Sequence, residues 1–225
     1  MNNLNKRAFS GLIGLLLVLG VLIFLPAGSI QFWEGWIYLL IFALCVTVIT
    51  IYFLQKDPKL VERRINAGPA AEKEKSQKII QTFASIFAIA LIIIPAFDHR
   101  FHWSKVPLIL VIVANVLVLI GFVIVFLVFR ENSFSAGTIA VEQTQIVIST
   151  GPYRLVRHPL YAGALLILTF TTLALVSTWG LLAAIPMFMV IVSRLLAEER
   201  FLLNNLSGYP EYCQKTKYHI VPLIW

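Results

Sequence analysis

Ionisable and aromatic side chains are concentrated in two polar segments of a chain that is otherwise strongly apolar. The first segment, residues 151–163, has the sequence GPYRLVRHPLYAG. The second begins with Glu198 and Glu199 and continues to residues 208–212, GYPEY. Ionisable groups are costly beside apolar helices, so those that are present are candidates for function.

The first segment offers groups that bind anions and exchange protons. Arg157 carries a planar guanidinium that can bind a carboxylate or a phosphate through two parallel hydrogen bonds. His158 can donate or accept a proton near neutral pH. Pro159 favours the start of a helix, and we expect the first amides of that helix to be free to bind an anion.

Four tyrosines and two glutamates complete this chemistry. The aromatic faces and hydroxyls can hold a planar base, and the carboxylates can accept hydrogen bonds from amino or ribose hydroxyl groups. Together with Arg157 they predict a site for a polar, partly anionic cofactor, formed by Tyr153, Tyr161, Tyr209, Tyr212, Glu198 and Glu199. One histidine and two adjacent carboxylates supply too few converging ligands for a metal ion, and none is predicted.

A second interpretation of the same residues needs no ligand. Arg157 and His158 can mark a helix end and extend to lipid headgroups. Glu198 lies four residues after Arg194, a spacing that favours an ion pair on one helix face. The tail from Tyr209 to Tyr212 can anchor the chain at the membrane interface. Both interpretations remain open at this point.

The elements that must position these residues are predicted to be transmembrane helices. Of 225 residues, 59% are hydrophobic and 13% are charged, with a mean hydropathy of +0.86. Soluble domains carry about 25% charged residues, which excludes a water-facing surface of this size. The net charge of +7 lies at helix ends, which argues for topology and against nucleic-acid binding. We therefore predict an all-α integral membrane protein.

Six apolar stretches approach the roughly 20 residues needed to cross a bilayer. The last two are short, and they form either two full crossings or a tilted hairpin. A hairpin would bring the two polar segments side by side. The stretches are residues 9–26, 33–54, 79–97, 106–129, 160–176 and 181–196. We treat residues 1–225 as one membrane domain, with a four-helix part at 1–130 and a cofactor-binding part at 131–225.

The basic residues predict the orientation of this bundle. Of the 18 lysines and arginines, all except Arg100 and Lys105 fall on one side. Cytoplasmic loops carry the excess of positive charge. We therefore predict that both termini and the loops at 56–78 and 130–159 face the cytoplasm. The protein is then a multi-pass protein of a prokaryotic inner or plasma membrane, in contact with membrane lipids.

The polar segments also resemble a known family. The resemblance rests on Gly151-Pro152-Tyr153, Arg157-His158-Pro159-x-Tyr161-x-Gly163, Glu198-Glu199 and a tyrosine-rich tail ending Ile220-Val221-Pro222. In order and spacing, these motifs are similar to those of the isoprenylcysteine carboxyl methyltransferase and phospholipid methyltransferase family. The likeness is strongest over residues 132–225 and weaker at residues 33–36 and 57–63.

The resemblance implies an S-adenosylmethionine-dependent methyltransferase with its cofactor pocket at the cytoplasmic face. Arg157 and Glu199 would have catalytic roles. The residues implied to bind the cofactor are Tyr153, Arg157, His158, Pro159, Tyr161, Gly163, Glu198, Glu199, Tyr209 and Tyr212. The acceptor would be lipophilic, a prenylcysteine-like carboxylate or a related lipid that enters from the bilayer, and no protein partner is expected.

The chain departs from the family pattern in its tail. Lys217-Tyr218-His219 stands where similar proteins commonly have an arginine, so Lys217 or His219 would take the place of that arginine in binding substrate. An alternative resemblance is to NADPH-dependent membrane reductases of the sterol-reductase type. The paired Glu198 and Glu199 favour the methyltransferase. A non-enzymatic scaffold would leave the polar residues unexplained.

Overall fold

The fold is entirely helical over the residues that the computed structural model describes, which are 2–72, 74–139, 141 and 144–225. The prediction of an all-α membrane protein is confirmed. The helices are α1 (Asn2–Ala27), α2 (Trp33–Lys56), α3 (Pro58–Ile65), α4 (Lys75–Phe101), α5 (Leu108–Glu131), a short 3-10 helix (Gly151–Arg154), α6 (Pro159–Ala174), α7 (Leu181–Asn205) and α8 (Tyr209–Lys215). Lys73, which the sequence places in the basic loop at 56–78, lies outside the described residues.

Within the described residues, five helices are long and apolar enough to cross a membrane, namely α1, α2, α4, α5 and α7. Four of them contain a predicted apolar stretch in full, and α5 begins two residues later than the stretch predicted at 106–129. The last of them continues beyond its predicted stretch, since α7 runs past residue 196 to Asn205 and carries Glu198 and Glu199 on its last turns. We call the end of the bundle that holds these two glutamates the site end.

The remaining apolar stretch, predicted at residues 160–176, forms α6, which has 16 residues. A helix of this length is about 24 Å long at 1.5 Å per residue. At the site end, Tyr161 of α6 bonds to Glu198 of α7. At the other end, Ser177 Oγ donates to Asp98 Oδ2 at 2.5 Å, close to the end of α4. The short α6 therefore reaches from one end of the bundle to the other and forms a hairpin with α7.

Two glycines allow α6 to lie directly against α5. A Cβ at Gly163 would be 2.9 Å from the carbonyl oxygen of Gly121, and one at Gly121 would be 2.8 Å from that of Gly163. Larger side chains would push the two helices apart. Close backbone approach through small residues is a common way to associate helices in membranes.

Aromatic side chains lie at the end of the bundle opposite the site end. Trp33 begins α2, Trp103 follows α4, and Trp179 precedes α7; all three are exposed. Tryptophan is enriched where a membrane meets water. This end therefore has the composition of a membrane interface.

Near the site end, the chain between α2 and α4 forms an amphipathic helix. Asp57 ends α2 and caps α3, because its Oδ1 accepts from the amide of Leu60 at 3.1 Å. Leu60 and Val61 are buried against Phe53 and Val128. Packing of this kind holds α3 against the ends of the long helices.

Candidate functional site

A cavity of about 550 Å³ lies at the site end. Its walls come from the ends of α3 and α7, the starts of α4 and α6, part of α5, α8, and the segment between α5 and α6. Predicted site residues on these walls are Tyr153, Arg157, His158, Pro159, Tyr161, Glu198, Tyr209 and Tyr212. The fold thus brings together residues separated by up to 59 positions in sequence, as in the hydrogen bond between Tyr212 and Tyr153.

Arg157 and Glu199 form a buried ion pair beside this cavity. Arg157 Nη1 donates to Glu199 Oε1, and Nη2 donates to the carbonyl oxygen of Lys217 at 2.8 Å. The two side chains are only 13% and 9% exposed. Glu199 does not line the cavity; it lies behind Arg157 and fixes the guanidinium in place.

Two histidines flank the same carboxylate. His219 Nε2 lies 2.9 Å from Glu199 Oε2, and His158 Nε2 lies 3.7 Å from it. Burial lowers the pKa of His219, an effect that the neighbouring Glu199 carboxylate partly opposes. Of the two residues predicted to replace the arginine in binding substrate, His219 has its side chain beside Glu199, and neither is on the cavity wall, so the substrate-binding role stays a prediction. Only the main-chain carbonyl of Lys217 contacts Arg157.

The tail is held against the start of α6 through the main chain. The amide of Arg157 donates to Tyr218 O at 2.8 Å, and that of His158 donates to His219 O at 2.9 Å. The amides of Tyr161 and Ala162 both donate to His158 O. The expectation that the first amides of α6 would be free to bind an anion is wrong for Tyr161 and Ala162, because the carbonyl oxygen of His158 already accepts from both.

Glu198 points to a different partner from Glu199. Tyr161 Oη donates to Glu198 Oε2 at 2.5 Å, and both residues line the cavity. Arg194 pairs with Glu72 at 2.7 Å and donates to Gly137 O at 3.0 Å. The ion pair between Glu198 and Arg194 that the spacing favours is therefore replaced by a pair between Arg194 of α7 and Glu72, which lies in the segment before α4.

The other tyrosines form a hydroxyl-rich wall. Tyr212 Oη donates to Tyr153 O at 2.7 Å, while Asn132 Nδ2 donates to Tyr153 Oη at 2.9 Å. Burial raises the pKa of Tyr153 to about 12, and it raises the pKa of Tyr209 and Tyr212 as well. All three phenols are protonated near neutral pH and can donate hydrogen bonds.

Gly163, another predicted cofactor-binding residue, is not on the cavity wall. It lies at the contact between α5 and α6 described above, against Gly121. Its place in the motif is explained by helix packing, which positions the neighbouring Tyr161.

Sequence reasoning missed two arginines of the cavity, Arg64 and Arg194. Arg64 was counted only as a positive charge that sets the orientation, and Arg194 was considered besides that only as an ion-pair partner of Glu198. Arg194 carried a usable signal, because it falls inside an apolar stretch, where an ionisable residue indicates function or a buried partner. Arg64 carried no such signal, since it lies in a loop-like basic region whose fold places it on the cavity wall.

Buried polar atoms without partners show where a ligand would bind. Among the described residues these atoms include Arg157 Nε, His158 Nε2 and Tyr209 Oη, all on side chains that line the cavity. An orphaned buried polar group costs free energy, about 1–3 kcal/mol. A polar ligand that pairs with these atoms would recover that cost. No group of three metal-ligating side chains occurs among the same residues.

Comparison with known proteins bears on residues 109–207. The family whose model matches there is described as phospholipid methyltransferase. The matched region runs from α5 to the end of α7 and includes the first polar segment, Glu198 and Glu199. No curated protein matches the chain.

Proposed function

We propose that this chain transfers a methyl group from S-adenosylmethionine to a lipophilic acceptor. The match of residues 109–207 to the phospholipid methyltransferase family, a family of membrane methyltransferases, supports this proposal. The acceptor is a lipid that carries either a carboxylate, as in a prenylcysteine, or an amine. The family match gives no support to the alternative of an NADPH-dependent reductase.

One observation carries the proposal: a single cavity has a polar part and an apolar part. The polar part contains Arg157, His158 and Glu198 with the tyrosines. The apolar part is lined by Phe122, Val125, Ile167, Leu168, Met187 and Ile191, which lie on the long helices α5 and α7 or on α6. A water-soluble cofactor and a lipid can therefore meet in one cavity. Ligand pockets of this kind have volumes of about 300–1,000 Å³.

The residues present fit S-adenosylmethionine. Its methionyl carboxylate would pair with Arg157, whose Nε lacks a partner. Its ammonium and ribose hydroxyls would find acceptors in Glu198 and His158. Its adenine would meet tyrosine rings and the Tyr209 hydroxyl. When bound, the cofactor supplies a methyl group already activated by the sulfonium.

The protein then has to hold and orient the reactants. Glu199 and the carbonyl of Lys217 fix Arg157, and the tail covers the start of α6 through the bonds to Tyr218 and His219. Correct orientation of two reactants supplies about 7–11 kcal/mol of a barrier in favourable cases. A carboxylate acceptor needs no base. An amine acceptor must lose a proton, and Glu198 is the carboxylate on the cavity wall that would accept it.

The site is proposed to face the cytoplasm, where S-adenosylmethionine is made available. The distribution of lysine and arginine supports this, because the site end carries nearly all of them. The protein would act as a multi-pass protein of a prokaryotic inner or plasma membrane. Its acceptor would enter from the bilayer, without a protein partner.

Calorimetry on the detergent-solubilised protein tests the cofactor. We expect S-adenosylhomocysteine to bind with a Kd of about 1 µM or lower, which corresponds to roughly −8 kcal/mol, and NADPH not to bind. Transfer of labelled methyl groups into a panel of phospholipids and prenylated thiol acids then identifies the acceptor. Binding of NADPH without binding of S-adenosylhomocysteine would refute the proposal.

A pair of matched variants links that binding to the site. Arg157→Lys keeps the charge but loses the planar fork, so cofactor affinity should fall about ten-fold. Arg154→Lys makes the same change three residues earlier on an exposed side chain and should have no effect. Equal affinities in both variants would remove Arg157 from the site.

A further inference from the structure

Three arginines line the cavity within the described part of the chain, and two of them are neutralised. Arg157 pairs with Glu199, and Arg194 pairs with Glu72. For Arg64, no carboxylate of the described residues lies within ion-pair distance of the guanidinium. Among the described residues, the Arg64 guanidinium is thus a positive charge on the cavity wall without a carboxylate partner.

The surroundings of Arg64 hold the guanidinium in place without cancelling its charge. Nη1 donates to Ala136 O at 2.9 Å, and Cζ lies 4.9 Å from the centre of the Phe129 ring. Burial lowers the pKa of Arg64; Tyr161 and Glu198 act against that effect, and the positive charge of Arg194 adds to it. An arginine stays protonated in proteins, so the half-buried guanidinium carries a charge that an anion would stabilise.

Arg64 comes from a different part of the fold than the cofactor residues. It lies on the last turn of α3, outside the family region and outside both polar segments. Leu60 and Val61 of α3 are buried, whereas Lys59 is exposed, so α3 has the amphipathic character of a helix at a membrane surface. Such a helix lies at the depth of lipid headgroups.

The lining next to Arg64 in sequence is made of small side chains. Ala67 and Gly68 follow α3 on the cavity wall, and α4 adds Ala84 and Ala88 together with the polar residues Gln81 and Ser85. The alanines and the glycine carry no side-chain group that would compete for the guanidinium. The arrangement suits a headgroup that carries an anion and continues into an apolar chain.

We propose that Arg64 binds the anionic group, phosphate or carboxylate, of the lipid that accepts the methyl group. This inference rests on the proposed function. It assigns the acceptor to lipids with a negative charge close to the methylated atom. It also gives the N-terminal part of the chain a direct role in choosing the substrate, while the polar segments bind the cofactor.

Binding measurements with paired probes test this without requiring turnover. In each pair one lipid carries an anionic phosphate or carboxylate group and is called the anionic member, and its counterpart lacks that group: dioctanoyl phosphatidylethanolamine with dioctanoylglycerol, and N-acetyl-S-farnesylcysteine with its amide. Affinities are measured by calorimetry in detergent, with the protein saturated by S-adenosylhomocysteine. The proteins are wild type, Arg64→Gln, Arg64→Lys and the control Lys59→Gln, which removes an exposed charge from the same helix.

We expect wild-type protein and Lys59→Gln to prefer the anionic member of at least one pair. In Arg64→Gln, that preference should fall about ten-fold or more, as for the loss of a charge-assisted hydrogen bond. Affinity for S-adenosylhomocysteine and for the neutral probes should stay within about two-fold, since these contacts do not involve the charge. Arg64→Lys, which keeps the charge and should fold even if the glutamine variant does not, should lose part of the preference.

Three results would overturn the inference. One is a preference for anionic probes that survives in the Arg64 variants, and another is the absence of any preference in the wild type. The third is a loss of S-adenosylhomocysteine affinity in Arg64→Gln with lipid binding intact, which would assign the charge to the carboxylate of the cofactor. Failure of wild-type protein to bind S-adenosylhomocysteine would instead refute the proposed function.

Discussion

The ion pair between Arg157 and Glu199 gives the most direct test of the site, through the substitution Glu199→Gln. The change keeps the shape of the side chain and removes its charge. Arg157 would retain the carbonyl of Lys217 but lose its only carboxylate partner among the described residues. Because Glu199 lies behind Arg157, the effect on a ligand in the cavity would be transmitted through the position of Arg157.

The expected magnitude follows from the burial of the pair. Breaking a buried ion pair on one side costs about 3–5 kcal/mol, and a charge-assisted hydrogen bond contributes about 1.5–3 kcal/mol. Glutamine still offers Arg157 a neutral acceptor, and the Arg157 side chain is 13% exposed. The loss should therefore lie in the range of a charge-assisted hydrogen bond, below that of a fully buried ion pair. We expect a loss of about 2 kcal/mol in stability and about ten-fold in affinity for S-adenosylhomocysteine.

A double-mutant cycle separates this coupling from independent effects. Arg157→Gln, Glu199→Gln and the double variant are compared with wild type by calorimetry and by thermal unfolding in the same detergent. If the pair acts as a unit, the double variant should bind about as weakly as the worse single variant, with a coupling energy of at least about 1.5 kcal/mol. Glu211→Gln, an exposed carboxylate on α8, is the matched control. Additive effects of the two substitutions would refute the reasoning.

Three further predictions concern topology, packing and pH. A cysteine placed at Lys75 should react only with a membrane-permeant reagent in whole cells; labelling by an impermeant one would reverse the orientation. Gly163→Ala should lower stability by about 1–3 kcal/mol in thermal unfolding, because its Cβ would lie 2.9 Å from a glycine carbonyl oxygen of α5. Gly14→Ala, where a Cβ meets nothing within 4 Å, should be neutral or stabilising, and equal losses would contradict the packing argument. Burial lowers the pKa of His219, so its contribution to stability is present above the unfolded value of about 6.5 and lost as the pH falls below it. The thermal midpoint should therefore drop between about pH 7.5 and about pH 5.5, and less so in His219→Gln; the same drop in both proteins would exclude His219 as the cause.

The sequence by itself determined the class of the fold and the identity of most site residues. Long apolar runs can satisfy their main-chain hydrogen bonds in a membrane only as helices, so hydropathy alone predicts the helices correctly. The residues with unusual chemistry in such a chain are few. Arg157, Tyr161 and Glu198 could therefore be selected without knowing their neighbours, and the structure places all three on one cavity.

Only the tertiary structure decided which of these residues face a ligand and which hold others in place. Spacing of four residues suggested that Arg194 pairs with Glu198, but the segment that leads into α4 brings Glu72 to Arg194 instead. Glu199 adjoins Glu198 in sequence, yet successive residues of a helix point in directions about 100° apart, so one lines the cavity and the other lies behind it. Arg64 joins the site from a distant helix, because contacts between remote segments leave no mark in a local pattern.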